Sequence, residues 1–83
     1  MTEAVEAVVK HWPGWKINKG SATKNLKDGR FIMLRERGNH MVLMLGNSKP
    51  ERWNKFDKTR RGAFSALDHA NFMAGLYGGW QEE

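Results

Sequence analysis

Residues 31–45, FIMLRERGNHMVLML, constrain the fold more than any other part of the chain. Two apolar runs lie on either side of Gly38 and Asn39, a pair that favours a two-residue turn between antiparallel strands. A hairpin with one face in water alternates apolar and polar residues, whereas both of these runs are more apolar than that. The segment therefore predicts a β-hairpin with apolar side chains on both faces.

The register of this hairpin sorts its side chains into two sets, because neighbours along a strand point to opposite faces. The set that forms the natural core face consists of Ile32, Leu34, Met41, Leu43 and Leu45, together with Glu36. The set on the second face consists of Phe31, Met33, Val42 and Met44, with Arg35, Arg37 and His40 near the turn. The second face thus changes from apolar to basic toward the turn.

Three interpretations of this second face stay open. In the first, a helix or the side chains of Trp53 and Trp80 cover it, which makes a three-layer domain. In the second, it binds a protein partner or another copy of the chain, for which the flexible Met33 and Met44 are suited. In the third, Phe31 stacks on nucleic-acid bases while the arginines hold phosphates.

Helical patterns lie on both sides of the hairpin in the sequence. Apolar residues spaced three and four apart predict a first helix over residues 3–11, which Pro13 ends. A second helix is predicted over residues 60–77, with its N-cap at Asp57 or Thr59. The predicted class is therefore α+β, with one helix near each end of the chain.

The remaining segments predict short strands and loops. Residues 15–19 form a weak first strand, and residues 19–30 are rich in lysine and turn-forming residues and are predicted to be a loop. Residues 47–51 are a second predicted loop. An edge strand is predicted over residues 52–56, with its tryptophan pointing into the core. The whole chain is thus expected to form one small domain, with an antiparallel sheet of three or possibly four strands in the order α-β-β-β-α.

This order is similar to that of the double-stranded RNA-binding domain, and a sheet followed by a helix resembles the AP2-like modules of integrases. Residues Lys58–Ala63 partly resemble the lysine-rich opening of the second helix of the double-stranded RNA-binding domain. The similarity is confined to topology and to this short segment, so no family is assigned.

Basic residues are concentrated in the middle of the chain. The segment from Lys16 to Arg61 contains thirteen Lys and Arg residues and four Asp and Glu residues. Its net charge is therefore +9, whereas the whole chain carries +5. A positive band of this kind favours a polyanionic partner. The predicted phosphate contacts are Arg35, Arg37, Lys58, Arg60 and Arg61, assisted by Lys19, Lys24, Lys27 and Arg30. Alternatively, the cations at the start of the second helix pair with Asp57 or Glu51, and the lysines of residues 19–30 belong to a solvated loop that binds nothing.

Several classes of function lack support in the sequence. The chain contains no cysteine, and its three histidines stand alone without metal-ligand spacing. We therefore expect no enzymatic activity, no cofactor and no metal. Apolar runs are too short to span a bilayer, and no signal-peptide pattern is present, so no membrane partner and a cytoplasmic location are expected.

The sequence thus predicts a non-enzymatic module that binds DNA or RNA through its basic middle. The alternative is a small protein, of the kind made by phages or mobile elements, that binds an acidic host protein through apolar side chains with a basic rim. Its candidate contacts are Phe31, Met33 and Met44 on the hairpin, and Phe72 and Leu76 on the second helix. The last two are expected to pack under Trp80 or the first helix, with an exposed docking patch as the alternative. A homodimer is compatible with either function.

Overall fold

The computed structural model describes residues 1–46 and 48–82, and these residues form an antiparallel sheet of five strands with two α-helices and a short 3₁₀ helix. The elements are α1 (Glu3–Val9), β1 (Lys16–Asn18), β2 (Ser21–Asn25), β3 (Phe31–Arg37), β4 (His40–Leu45), the 3₁₀ helix (Pro50–Arg52), β5 (Asn54–Asp57) and α2 (Arg60–Leu76). Strands that follow one another in the chain are neighbours in the sheet. The α+β class and the terminal helices are confirmed, whereas the predicted number of strands was too low.

The strand missing from the prediction is β2, which lies within the segment predicted to be a loop. Ala22 pairs with Leu34 of β3 on one side and with Ile17 of β1 on the other, and it is completely buried. A small side chain is enough at this central position, so the strand carries no bulky apolar residue. Strand preference depends on such neighbours more than on composition, and the loop prediction was wrong for this reason.

The predicted hairpin register is confirmed at every pair. Met33 lies opposite Met44 and Arg37 opposite His40, and the amide of Gly46 donates to the carbonyl oxygen of Phe31. Within the described residues only glycines have positive φ, and Gly38 has φ +60°. Positive φ at the first central residue alone is the requirement of a type II′ hairpin turn. The short edge strand is also present, shifted from 52–56 to β5, and Asn47 of the predicted loop 47–51 lies outside the described residues.

Both helices begin at a threonine cap. The Thr2 hydroxyl accepts a hydrogen bond from the Val5 amide at 3.4 Å, and the Thr59 hydroxyl accepts one from the Gly62 amide at 3.0 Å. Gly62 lies so close to β5 that an added Cβ would be 2.0 Å from the carbonyl oxygen of Asp57. The absence of a side chain here allows the first turn of α2 to rest directly on the sheet edge.

Both helices pack on the same face of the sheet. The core cluster joins Val5, Val8 and Val9 of α1 and the buried alanines and Leu67 of α2 to Ala22, Leu26, Ile32, Leu34, Met41 and Leu43. After α2 the chain returns to this layer: Leu26 forms an isolated bridge with Trp80, whose indole nitrogen donates to the Asn71 side-chain oxygen at 2.9 Å. The described residues therefore form two layers of secondary structure, so the part of the first interpretation in which a helix covers the second face of the hairpin was wrong.

Candidate functional site

The face of the sheet that the helices leave uncovered carries the candidate site, and we call it the open face. From the strand register its side chains are Lys16, Asn18, Ser21, Thr23, Asn25, Phe31, Met33, Arg35, Arg37, His40, Val42, Met44, Lys55 and Asp57. These residues include four lysines and arginines but only one carboxylate, that of Asp57. The open face is thus a positively charged surface on the five-stranded sheet.

Trp53 covers part of this face. The prediction that Trp53 points into the core was wrong. Asn54 pairs with Leu43, so its side chain is on the sheet face that the helices cover. Because neighbouring side chains point to opposite faces, Trp53 lies on the open face. Its indole nitrogen donates to the carbonyl oxygen of Ser48 at 2.8 Å, and the Arg37 guanidinium lies 5.0 Å from its ring centre. The tryptophan is therefore held at one border of the open face.

The apolar side chains of the open face are buried to different degrees. Val42 and Met44 are only 1% and 6% exposed, although neither belongs to the core cluster under the helices. Phe31 and Met33 are half-buried. The interpretation in which Trp53 shields this face is therefore correct for the region around Val42, whereas Phe31 and Met33 keep accessible surface.

The open face divides into two halves along the strands. Toward the Gly38 turn lie Arg35, Arg37 and Lys55, which we call the cationic half. Toward the opposite strand ends lie Phe31, Met33 and Met44, which we call the apolar half, and Lys16 lies in the same row as Met33 at the β1 edge of the sheet. The change from apolar to basic that the sequence predicted is thus present along the β3–β4 hairpin.

The cations of the open face are largely unpaired. Within the described residues, the side chains of Lys16, Arg35 and Lys55 form no hydrogen bond or ion pair, and all three are exposed. Arg37 contacts the Trp53 ring and is also exposed. These charges are available to a ligand because no carboxylate has to be displaced first.

Two further predicted residues border the cationic half. Lys19 lines a hollow of about 370 Å³ together with Met33 and Arg35. Arg61 lines a shallow hollow of about 510 Å³ with Lys55 and His40, between the sheet and the first turn of α2. The His40 Nε2 atom is buried there without a hydrogen-bond partner among the described residues. Arg61 at the start of α2 is thus joined to the open face through this hollow.

The other two cations at the start of α2 are placed differently. Lys58 Nζ lies 3.7 Å from Glu36 Oε2 and 3.4 Å from the carbonyl oxygen of Gly38. Its charge is therefore paired, although with Glu36 and not with Asp57 or Glu51 as the sequence suggested. Arg60 is exposed, and its side chain has no partner within the described part of the chain.

The remaining predicted cations belong to the other end of the sheet. Arg30 forms two hydrogen bonds with the Asp28 carboxylate, at 2.9 and 2.5 Å, and lies over the Tyr77 ring. Hydrogen bonds from Arg30 lower the pKa of Asp28, and the same pair raises the pKa of Arg30. Lys24 donates to the Pro13 carbonyl oxygen at 2.7 Å and lies over the Trp80 ring. Exposed Lys27 lies in the same loop as Arg30, so the predicted nine-residue set does not form one surface.

Phe72 and Leu76 form an exposed patch on α2. They are 62% and 63% exposed, on the side of the helix that faces away from its buried alanines. The prediction that they pack under Trp80 or the first helix was wrong, because Trp80 packs against Trp15 and Asn71 instead. This patch lies in the helical layer, on the opposite side of the sheet from the open face.

Two cations of the open face, Lys16 and Lys55, were absent from the predicted set. Lys16 alternates with the half-buried Ile17, and Lys55 alternates with Phe56, which packs on the core. A signal for both was present, since a cation next to an inward apolar residue in a strand must point to the other face. The faces themselves could be assigned only once the pairing partners were known.

Comparison with known proteins leaves the fold as the only guide to class. No protein-family model matches the chain, and neither curated proteins nor solved structures give a significant match. In the described residues, no three His, Cys, Asp or Glu side chains are placed to hold a metal ion, and no helix is long and apolar enough to cross a membrane. The five-stranded sheet also departs from the three-strand order on which the similarity to the double-stranded RNA-binding domain rested. The molecule is a two-layer α+β domain with one sheet face that no helix covers and that carries four cations.

Proposed function

We propose that this domain is a non-enzymatic nucleic-acid-binding module and that the open face is its binding surface. The observation that carries the proposal is the group of exposed cations Lys16, Arg35, Arg37 and Lys55 on a sheet face that no helix covers. Lys19 and Arg61 extend this surface at the end that holds the Gly38 turn. Lys24, Arg30 and Lys58 already have partners and are not part of the proposed surface.

Cations of this kind contact phosphates, and each contact releases condensed counterions from the nucleic acid. Four phosphate contacts give a slope of log K against log salt of about −3 for a single strand and about −3.5 for a duplex. Phosphate contacts position a ligand without reading its sequence, so the proposal implies no base preference.

Binding should be measured by fluorescence anisotropy with DNA and RNA, single-stranded and duplex, across a salt series. Arg35→Glu should weaken binding about tenfold and reduce the salt slope by about 1 to 2, because it removes one contact and adds a repulsive charge. Lys27→Glu is the matched control: it changes the net charge equally at the far end of the sheet and should have little effect. Absence of binding at low salt, or binding without a salt slope, would refute the proposal.

The second candidate function is that of a small phage-type regulator that binds an acidic host protein. The observation that favours it is the exposure of Phe72 and Leu76, which phosphate binding does not require. In that case the protein should co-purify with another protein and show no absorbance excess at 260 nm. Phe72→Ser should then abolish the association, whereas it should leave nucleic-acid affinity unchanged if the open face is the binding surface.

A further inference from the structure

We infer that the open face binds single-stranded rather than duplex nucleic acid, with the bases on the apolar half and the phosphates on the cationic half. This inference rests on the proposed function and names its ligand class. The juxtaposition that carries it is the accessible apolar pair Phe31 and Met33 on the same strand and face as the unpaired Arg35, with Lys55 in the same row of the sheet as Arg35.

The apolar half has no counterpart on the outside of a duplex. The outer surface of a duplex consists of phosphates and sugars, and a phosphate placed over Phe31 or Met33 would lose water without gaining a partner. A single strand offers the flat apolar faces of its bases, which stack on aromatic side chains and contact other apolar groups. Methionine sulfur also makes favourable contacts with aromatic rings. The accessible surface of Phe31 and Met33 therefore suits unstacked bases.

The dimensions of the sheet agree with this arrangement. Side chains two residues apart on a strand are separated by about 6.7 Å, so Met33 and Arg35 can contact different parts of the same nucleotide. Five strands at a spacing of about 4.8 Å make a sheet about 19 Å across. This width exceeds the roughly 12 Å of the major groove, which admits a helix or a two-stranded ribbon. The open face as a whole therefore cannot enter a duplex groove, whereas a single strand can lie across it.

The aromatic residues of the open face have different roles in this arrangement. The Trp53 ring is already in contact with the Arg37 guanidinium, and its nitrogen is bonded to Ser48. Phe31 has no ring or cation contact among the described residues and is half-buried at the outer end of the apolar half. Phe31 is therefore the stacking residue, and Trp53 holds Arg37 in place in the cationic half, at the other end of β3.

The test compares four labelled probes of equal length at low salt: a mixed-sequence single strand as DNA and as RNA, the corresponding DNA duplex, and an abasic DNA strand that keeps every phosphate. The single strands should bind at least tenfold more tightly than both the duplex and the abasic strand, because stacking contributes strongly for each base. Tighter binding of DNA or of RNA supports the inference in either case and identifies the polymer.

Phe31→Leu separates stacking from general binding. It should weaken binding of the base-containing single strand at least fivefold and leave the abasic strand unchanged, while circular dichroism confirms that the fold is retained. Phe64→Leu, at an exposed aromatic residue of α2, is the matched control and should change the affinity for neither strand.

The outcomes distinguish this inference from the proposed function. Equal affinity for the single strand, the duplex and the abasic strand, with a normal salt slope, would overturn the inference and leave the proposed function standing. An equal effect of Phe31→Leu on both strands would also overturn it. Failure of all four probes to bind would overturn both proposals.

Discussion

The two faces of the β3–β4 hairpin are built from alternate residues of the same strands and have opposite properties. Leu34 is completely buried under the helices, whereas its neighbour Arg35 is exposed on the open face. Because side chains alternate along a strand, the hairpin places a core and a charged surface back to back. Substitutions on the open face can therefore test the proposed binding without removing the contacts that hold the fold together.

The largest effect on stability is expected from Leu34→Ala. Removing a fully buried leucine side chain should lower the free energy of unfolding by about 2 to 5 kcal/mol, measured by urea denaturation. Met33→Ala, next to it on the open face, should cost about 1 kcal/mol or less, because the side chain is only half-buried. If both substitutions lower the free energy of unfolding by the same amount, the open face is covered in solution, and the two faces of the hairpin do not differ in burial.

The contact between the helical layer and the sheet is tested by a pair of glycines in α2. Gly62→Ala places a Cβ 2.0 Å from a backbone oxygen of β5, so the helix must shift, at a cost of about 3 kcal/mol. Gly75→Ala meets nothing within 4 Å and should stabilise the protein by up to about 1 kcal/mol, because alanine favours helix. Thermal denaturation of both variants measures these changes in stability. A Gly62→Ala variant as stable as the unsubstituted protein would contradict the close approach of α2 to β5.

A smaller effect is expected for the exposed side of α2. Phe72→Ser and Leu76→Ser should each change the free energy of unfolding by no more than about 0.5 kcal/mol, as expected for surface positions. Denaturation at two protein concentrations provides the measurement. A larger loss that depends on concentration would show that a second copy of the chain covers this patch.

The smallest effect on stability is expected for the exposed ion pair between Asp28 and Arg30, which lies far from the cationic half. Because Arg30 lowers the pKa of Asp28 in the folded protein, this pair stabilises the fold above the ordinary Asp pKa of 3.8 and ceases to do so as the pH falls through the lowered value. An NMR titration should place the Asp28 carboxyl below 3.8, and Arg30→Gln should return it toward that value. Affinity for nucleic acid should be unaffected by Arg30→Gln, whereas a loss of affinity would extend the binding surface to this end of the sheet.

Features fixed by local sequence were predictable. The two-residue turn at Gly38 and Asn39 determined the register of β3 and β4, and the start of α2 followed from a cap expected at Asp57 or Thr59, which the structure places at Thr59. These features depend on neighbours within a few residues, so the sequence alone carries the information.

Features fixed by pairing between distant segments were not predictable. Strand β2 has no apolar pattern of its own and exists because Ala22 fits between Leu34 and Ile17. The side on which Trp53 and Lys55 lie depends on which residue of β4 pairs with Asn54. The sequence therefore showed that the middle of the chain is basic, but not which cations share one surface.

The order of the strands has a consequence for how the chain folds. Since each strand pairs with the next one in the sequence, the sheet can form one hairpin at a time from local contacts, which favours rapid folding. The core side of β3 and β5, however, remains incompletely covered until α2, which follows all the described strands, docks on these two strands. During synthesis the sheet therefore stays vulnerable to association with other chains until its last helix has emerged.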